Sequence, residues 1–460
     1  MRLRSLLAGA TALAVASALL YAAPTLHADT IDTSGPLVSP ALVAEVQAKT
    51  KVRSIVQLKP GQSVAAVAGA IGHAFGGSRA PETAESPHFF VAELDQATLA
   101  KLKQDSRVQS VYKDELRFPV LDTSTRTIRS DRANIAGWTG KDTTVAVLDT
   151  GIDRDHPFFA GRLVDEACFS SSYAGHGTVS ICPNNQPSQT GPGAADAEIP
   201  LCVVNGRNLC DHGSHVAGIA AGSKAAGAPA DGVAPAAGIM AIQVFSRSDS
   251  PSTCRIGGES APCYVSYISD QKLALEYVAR VARSRNVAAV NMSLGGGGPY
   301  TAACDNDPSA AAVKPEFDTL VDLGVAPVVA AGNNGFTNGV ASPACISTAV
   351  AVGATWDNDA VASFTNRGRL LDLFAPGVNV KSAVPDDSYG LMSGTSMAAP
   401  HVAGAFALMR HAYPNFTVVQ SLQRLQNTGR LVPYDAGGAR TVTARIDAER
   451  ATADARPADA

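Results

Sequence analysis

The run Gly394-Thr395-Ser396-Met397-Ala398-Ala399-Pro400-His401-Val402-Ala403-Gly404 constrains this chain more than any other stretch. Glycine at its head lets the backbone turn sharply. The residues after it are mostly small or apolar, with Phe406, Leu408 and Met409 supplying bulk, so the pattern predicts a turn running into a buried helix. The small residues Ala398, Ala399, Ala403 and Gly404 admit a closely packed neighbour. Pro400 fits the first turn of such a helix, where a missing N–H costs little. Ser396 then stands at a helix N-terminus, where free N–H groups and the helix dipole favour negative charge. It has two readings: a helix cap, or a serine that attacks a carbonyl and leaves an oxyanion beside those donors.

A chain of 460 residues suggests two or three folding units. The hydrophobic share, 46%, is that of a globular enzyme with a large core, and the 41 glycines and 27 prolines imply many turns. Net charge is −4 without a basic stripe, so nucleic acid is not an expected partner. Residues 1–28 read as an export leader: Arg2 and Arg4 precede an Ala-rich apolar run from Leu6 to Ala23, and Ala28 is the cleavage residue. The rival, a membrane anchor, is disfavoured by the weak hydrophobicity of that run. No later segment is long and apolar enough to span a bilayer.

Export suits the cysteines. All eight lie beyond residue 160, and an even count in an exported chain favours disulfides. Eight cysteines allow on the order of 100 connectivities; the expectation is sequential pairing, Cys168–Cys182, Cys202–Cys210, Cys254–Cys263 and Cys304–Cys345. A zinc site is the rival, but no C-x-x-C spacing is present.

Residues 50–115 carry the pattern of a compact α+β unit without cysteine: strands from Val52 to Leu58, His88 to Leu94 and Val108 to Tyr112, and helices from Val64 to Phe75 and Gln96 to Gln104. Residues 116–143, rich in Thr, Arg, Asp and Ser, read as a connector. At the other end, Thr441 to Ala451 finishes a domain and Thr452 to Ala460 reads as a flexible tail.

Val145 to Asp149 is an apolar strand ending in a carboxylate. Ends of parallel strands face the binding crevice, so Asp149 is placed to orient a histidine; its local rival is an Asx turn. Asp211-His212-Gly-Ser-His215-Val-Ala-Gly218 opens a second small-residue helix, with His212 at the entrance and able to move a proton. His215, three residues on, reads as a packing histidine rather than the second half of a metal pair. Asp149, His212 and Ser396 thus offer an orienter, a base and a nucleophile.

In order and in local motif this set resembles the subtilisin-like serine proteases: Asp149-Thr-Gly-Ile-Asp153, His212-Gly-Ser-His-Val-Ala-Gly218 and Gly394 to Gly404 all match, and the likeness spans roughly 130–430. Residues 50–115 resemble that family's propeptide inhibitor domain more loosely. The resemblance implies a three-layer α/β domain with a mainly parallel sheet, preceded by a small α+β domain. It divides the chain into a leader (1–28), a propeptide (29–118), a catalytic domain (119–451) and a tail (452–460).

The resemblance also implies that Asn333, in Val328-Val-Ala-Ala-Gly-Asn333, is the side-chain oxyanion donor, with Asn334 as its neighbour and rival. Ser293-Leu294-Gly295 becomes the strand that pairs with an extended peptide, its glycines leaving room for side chains. The chain departs from the pattern at His156-Pro157-Phe158, where relatives carry a His-Pro-Asp whose carboxylate binds calcium. No metal is therefore assigned, no cofactor is required for the chemistry, and structural calcium is unsupported. The cysteine-bearing run between Asp149 and His212 is longer than usual and reads as an inserted surface loop. The expected protein is an exported, monomeric, self-processing endopeptidase acting on protein or peptide substrates and held in check by its own propeptide. The competing class is a non-catalytic binding protein on a protease fold.

Overall fold

The computed structural model describes residues 36–49, 51–74, 88–113, 121–308 and 310–455. The leader expected at 1–28, part of the connector and the end of the tail lie outside them. The chain divides into two compact units, Met1–Arg117 and Phe118–Ala460.

The first unit is a four-stranded sheet of β1 (Leu37–Val38), β2 (Val52–Leu58), β3 (Phe89–Leu94) and β4 (Val108–Lys113), in the order β1-β4-β2-β3. β2 pairs antiparallel with both β3 and β4, and its alternating buried positions give the sheet one apolar face. Leu42, Val56, Phe90, Leu94 and Val111 are fully buried there. Helices α1 (Pro40–Ala48), α2 (Val64–Ala74) and α3 (Gln96–Leu102) complete the unit. β1 and α1 precede the stretch that the sequence pattern marked as folded.

The second unit is built on a ten-stranded sheet. Its strands are β5 (Thr144–Asp149), β6 (Leu163–Phe169), β7 (Ser188–Thr190), β8 (Gly238–Gln243), β9 (Val287–Met292), β10 (Ala326–Ala330), β11 (Val350–Thr355), β12 (Leu373–Pro376), β13 (Arg430–Ala436) and β14 (Ala439–Arg445). The order is β13-β14-β12-β11-β10-β9-β5-β8-β6-β7. Pairing is parallel except at the two ends, β13 with β14 and β6 with β7. Every residue of β5, β9, β10 and β11 is buried, the pattern of strands covered on both faces.

Successive side chains divide between two cores. Val145 and Val147 join one that includes helices α4 (Asp211–Ala221) and α7 (Thr395–Ala412). Ala146 and Leu148 join the other, with α5 (Ile268–Val281) and α6 (Lys314–Asp322). The result is the expected three-layer α/β arrangement. The α4 and α7 backbones run close: a methyl on Gly404 would lie 2.6 Å from the Ala220 carbonyl oxygen.

Two local expectations are corrected. Much of the 116–143 connector is folded into the second unit, with helices at Leu121–Thr127 and Ser130–Ile135. Ile128, Ala133 and Trp138 are buried in its core, which repays ordering an otherwise polar stretch. The expected tail is ordered at its first residue: Thr452 ends the helix Ala448–Thr452 and is buried. All four sequential disulfides are formed, and among the described residues no cysteine is free.

Candidate active site

Asp149 ends β5, fully buried. Its Oδ1 accepts two hydrogen bonds, from the Thr150 N–H at 2.8 Å and from His212 Nδ1 at 2.7 Å. One oxygen thus takes both the adjacent backbone N–H and the imidazole, without the two-residue closure of an Asx turn, while Oδ2 is buried without a partner. Backbone packing brings the two residues together. The Gly213 N–H donates to Thr150 Oγ1 at 3.0 Å, Thr150 Oγ1 donates to the Cys210 carbonyl at 3.0 Å, and the Asp153 N–H donates to Ser214 Oγ at 2.8 Å. The first turn of α4 is thus sewn to the strand exit.

His212 is the second residue of α4, with 28% of its side chain exposed. Burial pulls its pKa down, but the charge and hydrogen bond of Asp149, together with the charge of Asp211, outweigh that and hold it above the ordinary histidine value. His215 faces elsewhere. It is fully buried, its Nε2 sits 3.0 Å from the Val380 carbonyl and 3.1 Å from that of Gly390, and burial depresses its pKa to about 3. It stays neutral and packs.

Ser396 is the second residue of α7, whose N-cap is Gly394. The cap reading of Ser396 is therefore set aside by the helix itself. From Thr395 to Met409 every residue is buried except Ser396. Its hydroxyl donates to the Ser293 carbonyl at 3.3 Å rather than to the His212 ring. The structure joins Asp149 to His212 by a hydrogen bond and joins Ser396 to Ser293; it shows no hydrogen bond between Ser396 and His212. Pro400 is not in the first turn but inside the helix, which leaves the Ser396 carbonyl without its i+4 amide donor.

Asn333 Oδ1 accepts from the Thr395 N–H at 2.8 Å and from Thr395 Oγ1 at 2.9 Å. This turns its Nδ2 outward, with no partner among the described residues. A methyl built on Gly394 would lie 3.3 Å from that Nδ2 and 3.6 Å from the Ser396 nitrogen, so both donors border the same small space. Asn334 is engaged differently: its side-chain oxygen accepts from Asn366 Nδ2 at 3.2 Å, and its N–H donates to Asn366 Oδ1 at 3.0 Å.

Ser293, Leu294 and Gly295 follow β9 and lead into the strand Gly296–Tyr300, paired with Val340–Ser342. A methyl on Gly295 would sit 2.6 Å from the Ser342 carbonyl oxygen. That glycine thus packs closely against the neighbouring backbone while also lining the cavity beside it. Beside it opens a largely apolar cavity of about 600 Å³ lined by Leu294, Gly296, Ile256, Tyr264, Ile268 and Tyr300. The sequence reading missed Ile256, Tyr264 and Ile268. Ile256 lies within the loop closed by Cys254–Cys263 and is 85% exposed; an Ile between two close cysteines was the one available signal.

Phe158, at the position where the resemblance would place a calcium-binding carboxylate, is fully buried, its ring against Gly218 and Gly222. Asp153, Asp155 and Glu198 each offer a carboxylate oxygen within 4.8 Å of the others, a spacing that could hold a cation. Asp153 is buried and accepts from the N–H groups of His156 (3.0 Å) and Asp387 (3.2 Å). Burial, with the charges of Glu198 and Asp155, pushes its pKa up to about 7.

Comparison with known proteins places the chain in a family. Residues 140–447 match the model of the subtilase family, Peptidase_S8. Subtilisin E of Bacillus subtilis is 32% identical over 345 residues, spanning 73% of this chain and 74% of that protein. Subtilisin Savinase of Lederbergia lenta is 33% identical over 302 residues, spanning 65% and 88%. A cold adapted subtilisin-like serine proteinase of known structure is 27% identical, with a TM-score of 0.46, covering 67% of this chain and 90% of that one. With a family match over most of its length and relatives at this level of identity, the chain belongs to the subtilase family and is a serine endopeptidase.

Proposed function

We propose that Ser396 is the nucleophile, His212 its general base, and Asp149 the carboxylate that orients the imidazole and stabilises its charged form. The observation that carries this reading is the 2.7 Å bond from buried Asp149 to His212 Nδ1, which leaves Nε2 as the nitrogen that moves a proton. The Ser396 proton passes to Nε2 as Oγ bonds to the peptide carbonyl carbon, and the carbonyl electron pair moves onto oxygen. Asn333 Nδ2 and the Ser396 N–H hold that oxyanion; the free Nδ2 bordering the same space as the Ser396 nitrogen supports this. Collapse expels the amine, which takes the proton back from His212, and water then releases the acyl-enzyme by the same route. Ser293-Leu294-Gly295 pairs with the extended substrate.

The protein is made as an exported zymogen. Residues 1–28 direct export, 29–118 form the propeptide that keeps the enzyme inactive, and the precursor cuts itself between about 115 and 135. The mature domain spans 119–451 and acts as a monomer. The test is purified Ser396→Ala: it stays full length, hydrolyses no peptide and is not labelled by an organophosphonate that labels the parent. Maturation of that variant in isolation would refute the scheme.

A further inference from the structure

Pro400 has no N–H to give the carbonyl of Ser396, four residues earlier in α7. That carbonyl is nevertheless paired: Ser293 Oγ donates to it at 2.7 Å. Ser293 Oγ in turn accepts from Asn291 Nδ2 at 2.9 Å. Asn291 is fully buried in β9, and Ser293 is 4% exposed. The three groups form a one-way chain from the central sheet to the peptide unit that follows the serine. The one hydroxyl proton goes to the Ser396 carbonyl, and the hydroxyl oxygen accepts one N–H of the Asn291 amide.

We propose that Ser293 is a positioning residue for Ser396, over and above any contact with substrate. Its hydroxyl takes the place of the amide that Pro400 lacks, and so fixes the backbone torsion after the Ser396 Cα. The preceding residue is held from the other side, through the Thr395 N–H and hydroxyl, both bound to Asn333 Oδ1. Between these two anchors the Ser396 N–H and Oγ keep one orientation. The inference rests on Ser396 being the nucleophile. It explains why a proline is tolerated in the second turn of a buried helix: the sheet supplies a donor from outside the helix.

The test is a cycle in the full-length enzyme: Ser293→Ala, Pro400→Ala and the pair together, read by organophosphonate labelling of Ser396 and by peptide hydrolysis. Ser293→Ala is expected to slow labelling and lower kcat about tenfold or more, with KM changed far less. Pro400→Ala returns an amide to the Ser396 carbonyl, so the double variant is expected to label within about threefold of Pro400→Ala alone, since the hydroxyl has become redundant. A double variant as slow as Ser293→Ala would overturn the inference, as would a loss confined to KM. If Ser293→Ala does not fold, comparison of the double variant with Pro400→Ala carries the same test. If the parent enzyme itself is not labelled at Ser396, the nucleophile assignment fails instead.

Discussion

Gly213 approaches Gly151 so closely that a methyl on Gly213 would lie 2.1 Å from the Gly151 carbonyl oxygen. The obstacle is backbone, which cannot swing aside. This contact is what lets the first turn of α4 lie against the end of β5 and brings the His212 ring to Asp149.

Gly213→Ala should therefore separate the two elements. Overpacking of this kind costs about 1–3 kcal/mol, and displacing a base by about 1 Å can cost on the order of 100-fold in rate. A lowered melting temperature with a large fall in kcat is expected. A variant that melts and turns over like the parent would show that the approach is not limiting.

With His212 as the proposed base, the acid limb of kcat/KM is expected to report that residue in the free enzyme. Because Asp149 holds that pKa above the ordinary value, His212 gains its inactivating proton at higher pH than a free imidazole does, and the midpoint should lie above about 6.5. Asp149→Asn removes the charge and should move the midpoint down while lowering the plateau. A midpoint unmoved by that substitution would contradict the assigned cause.

Asn333→Ala and its neighbour Asn334→Ala should separate cleanly. Loss of the corresponding side-chain donor in subtilisin lowers turnover by about 10²–10³, and a similar fall with little change in KM is expected for Asn333→Ala. Asn334 is tied to Asn366 on both its side chain and its backbone. Asn334→Ala should lower the melting temperature more than kcat; the opposite ranking would exchange the two roles.

Asp153 has its folded pKa raised to about 7 by burial and the neighbouring carboxylates, above the roughly 3.9 of an unfolded aspartate. Between those values the native state binds the extra proton. The favourable contribution is complete below about 4 and is lost as pH rises through about 7. Asp153→Asn forgoes an acceptor at every pH but escapes this penalty. Its melting temperature relative to the parent should therefore improve from pH 5 to pH 8. A constant difference would mean that Asp153 is not the titrating group.

Much of the candidate site was legible because its motifs are written locally. Asp149, His212 and Ser396 each lie at the end or start of an element, and a strand end or helix start is visible in a few consecutive residues. Two-residue periodicity likewise marked β2 to within its observed ends. Three things were not readable. Pro400 was assigned to a first turn because a helix pattern cannot reveal a donor arriving from Ser293, over a hundred residues away. Helices at Leu121–Thr127 and Ser130–Ile135 looked like connector because few of their residues are apolar, and only packing stabilises them. The cavity wall joins Ile256 and Ile268 to Leu294, and no single stretch of sequence contains it.

Every disulfide lies between Cys168 and Cys345, and residues 1–117 contain no cysteine at all. No covalent tether other than the main chain can therefore link the first unit to the second. A single scission of the backbone after Arg117 removes the last covalent hold on the N-terminal unit, with no reductant required, while the disulfides of the remaining domain stay closed.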